Sequence, residues 1–251
     1  MKEKTDIDWS KITAREIDVK LAAIIDSYEQ HVAALGHRPK RESYIVERIA
    51  DIANLRRASE EAAHKKSRKR YVRRHLAHQE QDLRLLQMQI LTQTLPEVEY
   101  RSDKVMTDAG KWRDIIKKNF YPWHILEHAV MQVVGGRITR SLVYDSVACI
   151  KGKGLHFGVK RVHRFMRTMP ELKWYWKCDM KKFYQSIPHN LVRSSFKRIV
   201  KDRKFDYILD RVVLYYHTPI EIRNEIDNER QRIRHIHRRL PKSAYRQLCC
   251  E

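Results

Sequence analysis

The stretch Leu172-Lys173-Trp174-Tyr175-Trp176-Lys177-Cys178-Asp179-Met180-Lys181-Lys182-Phe183-Tyr184-Gln185-Ser186-Ile187-Pro188-His189 decides how this chain is read. Its first eight residues alternate. Leu172, Trp174, Trp176 and Cys178 share one face of an extended chain; Lys173, Tyr175, Lys177 and Asp179 share the other. The pattern predicts a strand with its large apolar groups on a core and Asp179 at its C-terminal end, on the opposite side. A carboxylate on the end of a rigid strand suits Mg²⁺, which takes hard oxygen ligands and draws only one or two from protein. A strand-end aspartate that caps the following turn fits the same spacing. Ser186 and Pro188 then open a helix with Leu191, Val192, Phe196, Ile199 and Val200 inward, and a further helix is expected around 207–216.

Upstream, Glu97 to Val105 and Lys111 to Ile116 flank the turn-like Thr107-Asp108-Ala109-Gly110, which predicts a β-hairpin. Lys111 and Arg113 fall on one side of its second strand and Trp112 on the other, an arrangement that suits a phosphate clamp or a solvated edge with one buried aromatic. Pro122 fits the first turn of a helix with Ile125, Ala129, Val130 and Val133 buried, which Gly135-Gly136 should interrupt. Asp145-Ser146 leads to Gly152-Lys153-Gly154, a small cationic glycine turn without the spacing of a P-loop.

The first ninety residues read as helical. Thr13 and Glu16 have capping-box spacing ahead of Ile17, Leu21, Ile24 and Ile25, and Gly36 and Pro39 stop that helix. A second helix is expected over about 44–63, then the basic run Lys65-Lys66-Ser67-Arg68-Lys69-Arg70, then a third helix with Leu76, Leu83, Leu86, Ile90 and Leu91 on its apolar side, closed by Pro96.

The chain has 251 residues, 52 Lys and Arg against 31 Asp and Glu, a net charge of +21 and a pI of about 9.9. That surplus favours a polyanionic partner, because each neutralised phosphate releases condensed counterions. No segment reaches the roughly 18 apolar residues of a membrane span, and the first residues lead into no apolar stretch, so neither a membrane anchor nor a secretory signal is expected. Cys149, Cys178, Cys249 and Cys250 lack metal-site spacing and read as reduced thiols of a cytoplasmic protein. His235 and His237 with Cys249 and Cys250 make a poor zinc site, since adjacent cysteines are poor tetrahedral partners.

Taken in order, Gly110-Lys111-Trp112-Arg113-Asp114-Ile115, the Pro122 helix, the run from Asp145 to His156 and the block from Trp176 to His189 resemble the bacterial reverse-transcriptase family. The nearest likeness is to the enzymes of group II introns, retrons and diversity-generating retroelements, over about 50–215. The resemblance implies an α+β fold: a helical N-terminal region followed by the fingers and partial palm of a right-hand polymerase. It divides the chain into an N-terminal helix and linker (1–41), fingers and partial palm (42–218) and a divergent basic tail (219–251). It implies RNA-directed DNA polymerase chemistry on an RNA template and a DNA primer with dNTPs. Asp179 would be the catalytic, metal-binding carboxylate. Tyr184 would press on the sugar and exclude a 2′-hydroxyl, with Phe183 beneath it, and the backbone near Lys182 would face the triphosphate. Lys111 and Arg113 would close on the nucleotide's phosphates, and Gly152, Lys153 and Gly154 would run beside the template. Two Mg²⁺ ions about 3.5–4 Å apart would stabilise the attacking and leaving oxygens.

One departure matters. A Tyr-x-Asp-Asp motif should follow, yet the sequence contains no Asp-Asp pair, and from Thr218-Pro219-Ile220 onward nothing resembles the family. The expectation is a polymerase fragment that stops before its second carboxylate motif and is inactive alone, unless a partner chain supplies the rest. A non-catalytic RNA- or DNA-binding protein and a basic helical adaptor for a protein partner are the other readings.

Overall fold

The computed structural model describes residues 7–37, 39–107, 110, 112–169, 171, 173–180 and 183–212, the side chains at 184 and 185 excepted. Within them helices dominate, accompanied by one small two-stranded sheet.

Helix α1 (Ala14–Ala34) starts as its sequence dictates. Thr13 and Glu16 form a reciprocal capping box, with the Thr13 N–H donating to Glu16 Oε2 at 2.8 Å. Ile17 and Leu21 are buried, Ile24 is packed on the core, and the helix ends before Gly36, whose φ of +66° suits glycine. The single helix expected over 44–63 is two: α2 (Ile45–Ala50) and α3 (Ile52–Ala63). Asp51 breaks the run. Its ψ of 128° ends α2, while its carboxylate accepts from the Asn54 N–H at 3.3 Å and caps α3. The third expected helix also divides, into α4 (Arg70–Ala77) and α5 (Gln79–Leu91), at His78. The break rotates α4, so Val72 and His75 are buried while Leu76 is 37% exposed. Leu83, Leu86 and Ile90 are fully buried as expected.

Strands β1 (Arg101–Met106) and β2 (Trp112–Lys117) form the expected antiparallel hairpin, with Met106 opposite Trp112 and Val105 opposite Arg113. Every residue of both strands is exposed, so the hairpin projects rather than packs, and Trp112 is not buried. A short π-helical turn (Phe120–His124) leads into α6 (Ile125–Ser141), which buries Ile125, Leu126, Ala129, Val130 and Val134. Gly135-Gly136 does not interrupt α6. An isolated glycine pair costs about 1 kcal/mol per residue in a helix, and the Thr139 hydroxyl donates to the Gly135 carbonyl at 3.0 Å within an unbroken helix.

α3 packs along α6, and α2 against α5 and α6. Buried Asn54 ties the seam. Its Nδ2 donates at 3.2 Å to the Ile49 carbonyl and at 3.2 Å to the Ala129 carbonyl, joining the end of α2 to α6. Gln87 repeats the device, donating from Nε2 to the Ala50 carbonyl at 3.0 Å. Each leucine fully buried here contributes about 1.5–3 kcal/mol of transfer free energy, so the seam carries much of the fold.

After α6 the chain leaves this core. No described residue between 142 and 188 is buried. This arm carries α7 (Leu155–Thr168) and α8 (Phe183–Ser186). The chain returns through α9 (His189–Ile199) and α10 (Phe205–Val212). Both ends of the excursion meet at Glu42. Arg140 at the end of α6 lies 3.6 Å from its carboxylate; the Glu42 N–H donates to the Ile199 carbonyl at 2.9 Å, and the Lys201 N–H donates to the Glu42 carbonyl at 2.9 Å. α10 buries Phe205, Ile208, Leu209 and Val212. α9 buries nothing outright: Val192, Phe196 and Ile199 lie partly buried on the core, Leu191 is exposed, and Val200 just beyond is buried.

The alternating stretch differs most from expectation. Residues 173–180 form no strand, and Trp174, Tyr175 and Trp176 are 93%, 92% and 88% exposed. A strand needs a neighbour for its N–H and C=O groups, and the described residues supply none; alternation alone does not provide one. The end of the helix expected over 207–216 and the whole tail expected over 219–251, with its histidines and cysteines, lie outside the described residues.

Candidate nucleic-acid interface

The projecting hairpin has two unlike faces. Lys104 stands opposite Asp114 on one, with Met106 and Trp112 beside them. The other carries Arg101, Arg113 and Lys117 against one acid, Asp103, which pairs with Lys117. Arg113 therefore sits on the net-cationic face, exposed, with its guanidinium fork available for a phosphate. Lys111 lies outside the described residues.

The Gly152-Lys153-Gly154 turn is organised by its own neighbours. Gly152 has φ +79°, a conformation that favours glycine. The Lys153 ammonium donates to the Tyr144 carbonyl and sits 4.3 Å over the Tyr144 ring and 5.2 Å over that of Phe157. Arg161 grips Asp145 through Nε at 2.5 Å and a second nitrogen at 3.2 Å, and that hydrogen-bonded pair holds the Asp145 carboxyl below its ordinary range. Arg161 also lies 5.2 Å over Tyr144. Gly154 starts α7, and Gly158 passes close to Val147, so the loop 143–153 is folded onto the first turns of the helix. The exposed turn thus offers backbone, with its lysine held back on aromatic rings.

Asp179 is exposed and lies in the unpaired 173–180 segment. Phe183 opens the single turn α8 and is 47% exposed. Lys182 and the Tyr184 side chain lie outside what is described. Among the described residues Arg113, Lys153 and Asp179 share no hydrogen bond or ion pair, and no three His, Cys, Asp or Glu side chains gather as a metal cluster. A lone exposed carboxylate can give a magnesium ion one ligand, with water and phosphate completing its shell. The arm is strongly cationic: the acids between 142 and 188 are Asp145, Glu171 and Asp179.

Two features were missed from the sequence. Leu155, Val159, Val162 and Met166 form an exposed stripe along α7 at spacings of four, three and four; the spacing is visible in the sequence, but not that the stripe is left open. The second is a Ser59–His75–Asp82 relay inside the bundle. Ser59 Oγ lies 2.9 Å from His75 Nε2, and His75 Nδ1 lies 2.6 Å from Asp82 Oδ2. Gln79 donates to Ser59 Oγ at 3.2 Å, so Gln79, Ser59, His75 and Asp82 form one connected hydrogen-bonded chain. The connectivity is that of a nucleophilic triad, but the setting forbids that chemistry. Ser59 is wholly buried, Tyr121 stacks on the imidazole at 5.5 Å, and the nearby cleft of ≈ 450 Å³ is lined by Arg56, Glu60, His78 and Glu80, not by Ser59 or His75. The relay is a strut between α3, α4 and α5. No signal marks it in advance, because its three residues come from three helices.

No helix among the described residues is long and apolar enough to cross a membrane. No family model matches the chain, and no curated protein matches it.

Proposed function

We propose that this chain is a nucleic-acid-binding protein of reverse-transcriptase type, built as fingers and a partial palm. Asp179 contributes a divalent-metal ligand beside bound RNA template and DNA primer, and Arg113 with Lys111 engages phosphate. The observation that carries the reading is the arm. The Gly-Lys-Gly turn and Asp179 both lie on one cationic excursion, none of whose described residues is buried in the core. An exposed aspartate among lysines is held by no ion pair with a described residue, so it is available to a metal ion. Catalysis of phosphoryl transfer rests on positioning and charge neutralisation by two ions. The 251 residues contain no Asp-Asp pair, so this chain is assigned binding without primer extension of its own.

The competing reading is nucleic-acid binding with no metal. It is favoured by the lack of a carboxylate cluster among the described residues. Labelled primer–template titrated with and without Mg²⁺ separates the two. Tighter binding in Mg²⁺, abolished by Asp179→Asn, supports the metal role. Binding indifferent to both the ion and the substitution assigns the protein to the second reading.

A further inference from the structure

Trp174, Tyr175 and Trp176 are the most anomalous residues on the surface. Three consecutive large aromatics are each about nine-tenths exposed, and lysines at 173 and 177 bracket them, both exposed. Leaving two indoles and a phenol in water forfeits the burial that such rings usually gain. The geometry points to a stacking strap: Lys173–Lys177 binds single-stranded nucleic acid by stacking unpaired bases on Trp174 and Trp176 while the two lysines meet the backbone phosphates. This deepens the nucleic-acid reading above and rests on it.

One observation and two geometric arguments, which hold when the segment is drawn out, favour this occupant. First, charge: on a chain of net charge +21, a segment whose flanks are both cationic fits a polyanion and disfavours a second copy of itself. Second, direction. When the segment is extended, successive side chains point to opposite sides, so Tyr175 faces away from the two tryptophans. A flat bilayer or a single peptide strand meets one side only, whereas a nucleic-acid strand can wrap its bases around both. Third, spacing. Residues two apart in an extended chain are separated by about 6.6 Å, close to twice the roughly 3.4 Å repeat of stacked bases. One base therefore fits between the two indole rings. Duplex nucleic acid offers no such faces, because its bases already stack on one another; the strap should select single strands. Base-on-aromatic stacking is sequence-tolerant, so discrimination among bases should be weak.

The test uses the full chain carrying Trp112→Phe, so that the buried Trp9 and Trp123 are the remaining background to the strap's emission. It is titrated with a 12-nucleotide single-stranded RNA of mixed sequence and with a duplex of the same length. Indole emission and the anisotropy of labelled RNA are read together. The expected result is quenching by the single strand and little by the duplex. The double variant Trp174→Ala/Trp176→Ala should lose about ten- to a hundredfold in single-strand affinity with duplex affinity unchanged. Lys173→Gln/Lys177→Gln should keep the quenching but lower the salt slope by about 1.4. Because these side chains touch no core residue, the thermal melt should not move, which separates lost binding from lost folding. Unchanged single-strand affinity in the alanine variant overturns the strap while leaving nucleic-acid binding elsewhere on the chain intact. Failure of the parent to bind either RNA at low salt overturns both. A blue shift of the strap's emission on self-association, or on anionic phosphatidylserine vesicles but not on RNA, overturns the strap by assigning the aromatics to a protein or lipid surface.

Discussion

Asp18 and Arg84 show how individual charges fasten α1 to α5. Arg84 donates to Asp18 Oδ1 at 2.7 Å, and Gln87 donates to the same oxygen at 3.2 Å. Burial by itself would raise the Asp18 carboxyl, but the hydrogen bonds from Arg84 and Gln87 outweigh it and hold the group below its ordinary 3.8. A depressed folded-state pKa contributes stability that is full above the unfolded value and drains as pH falls through the folded one. Stability should therefore fall with acid below about pH 4, and Asp18→Asn should flatten that part of the profile. Denaturant midpoints measured between pH 2.5 and 6 check this; equal slopes in parent and variant would remove Asp18 from the account. At this scale the sequence was readable where a residue acts on its own chain neighbours. The Thr13–Glu16 capping box is such a case, and it formed as its spacing implied. Asn54, Gln87 and the Ser59–His75–Asp82 relay were not readable, since each depends on which helices meet.

Most helices were foreseen in place but not in continuity, and α7 was not foreseen. The apolar period ran through Asp51 and through His78, and in both places the backbone breaks. Period counts apolar residues; it does not register an aspartate whose carboxylate prefers the cap to the helix interior. Asp51→Ala should cost about 1 kcal/mol through the lost cap and lower the melting temperature by about 2–4 °C for a chain of this size. Calorimetry reads that shift, and an unchanged melt would mean the break at 51 is imposed by packing on α5 and α6 alone. The hairpin was legible because its turn and flanking strands are local. The expected strand was not realised over 173–179, because pairing is a property of neighbours and the alternation contains no information about them. That element carries the expected carboxylate, so its exposure also sets the character of the site: Asp179 is presented on an unpaired segment, not on a rigid strand end.

The molecule as a whole separates stability from proposed function. One core runs from Trp9 through α6 and is closed by Val200 and α10, while the arm between leaves and returns at Glu42. Substitutions in the arm should therefore change binding with little change in melting, and substitutions in the seam the reverse. The cationic hairpin and arm also carry Arg113, the Gly152-Lys153-Gly154 turn and Asp179, the residues proposed to bind. Hydrogen–deuterium exchange with a bound RNA–DNA primer–template tests this division most directly. Slowed exchange should be confined to 101–117 and 145–186, with the bundle helices α1 to α5 unaltered. Protection centred on the bundle, with the arm exchanging as fast as in the free protein, would contradict the assignment.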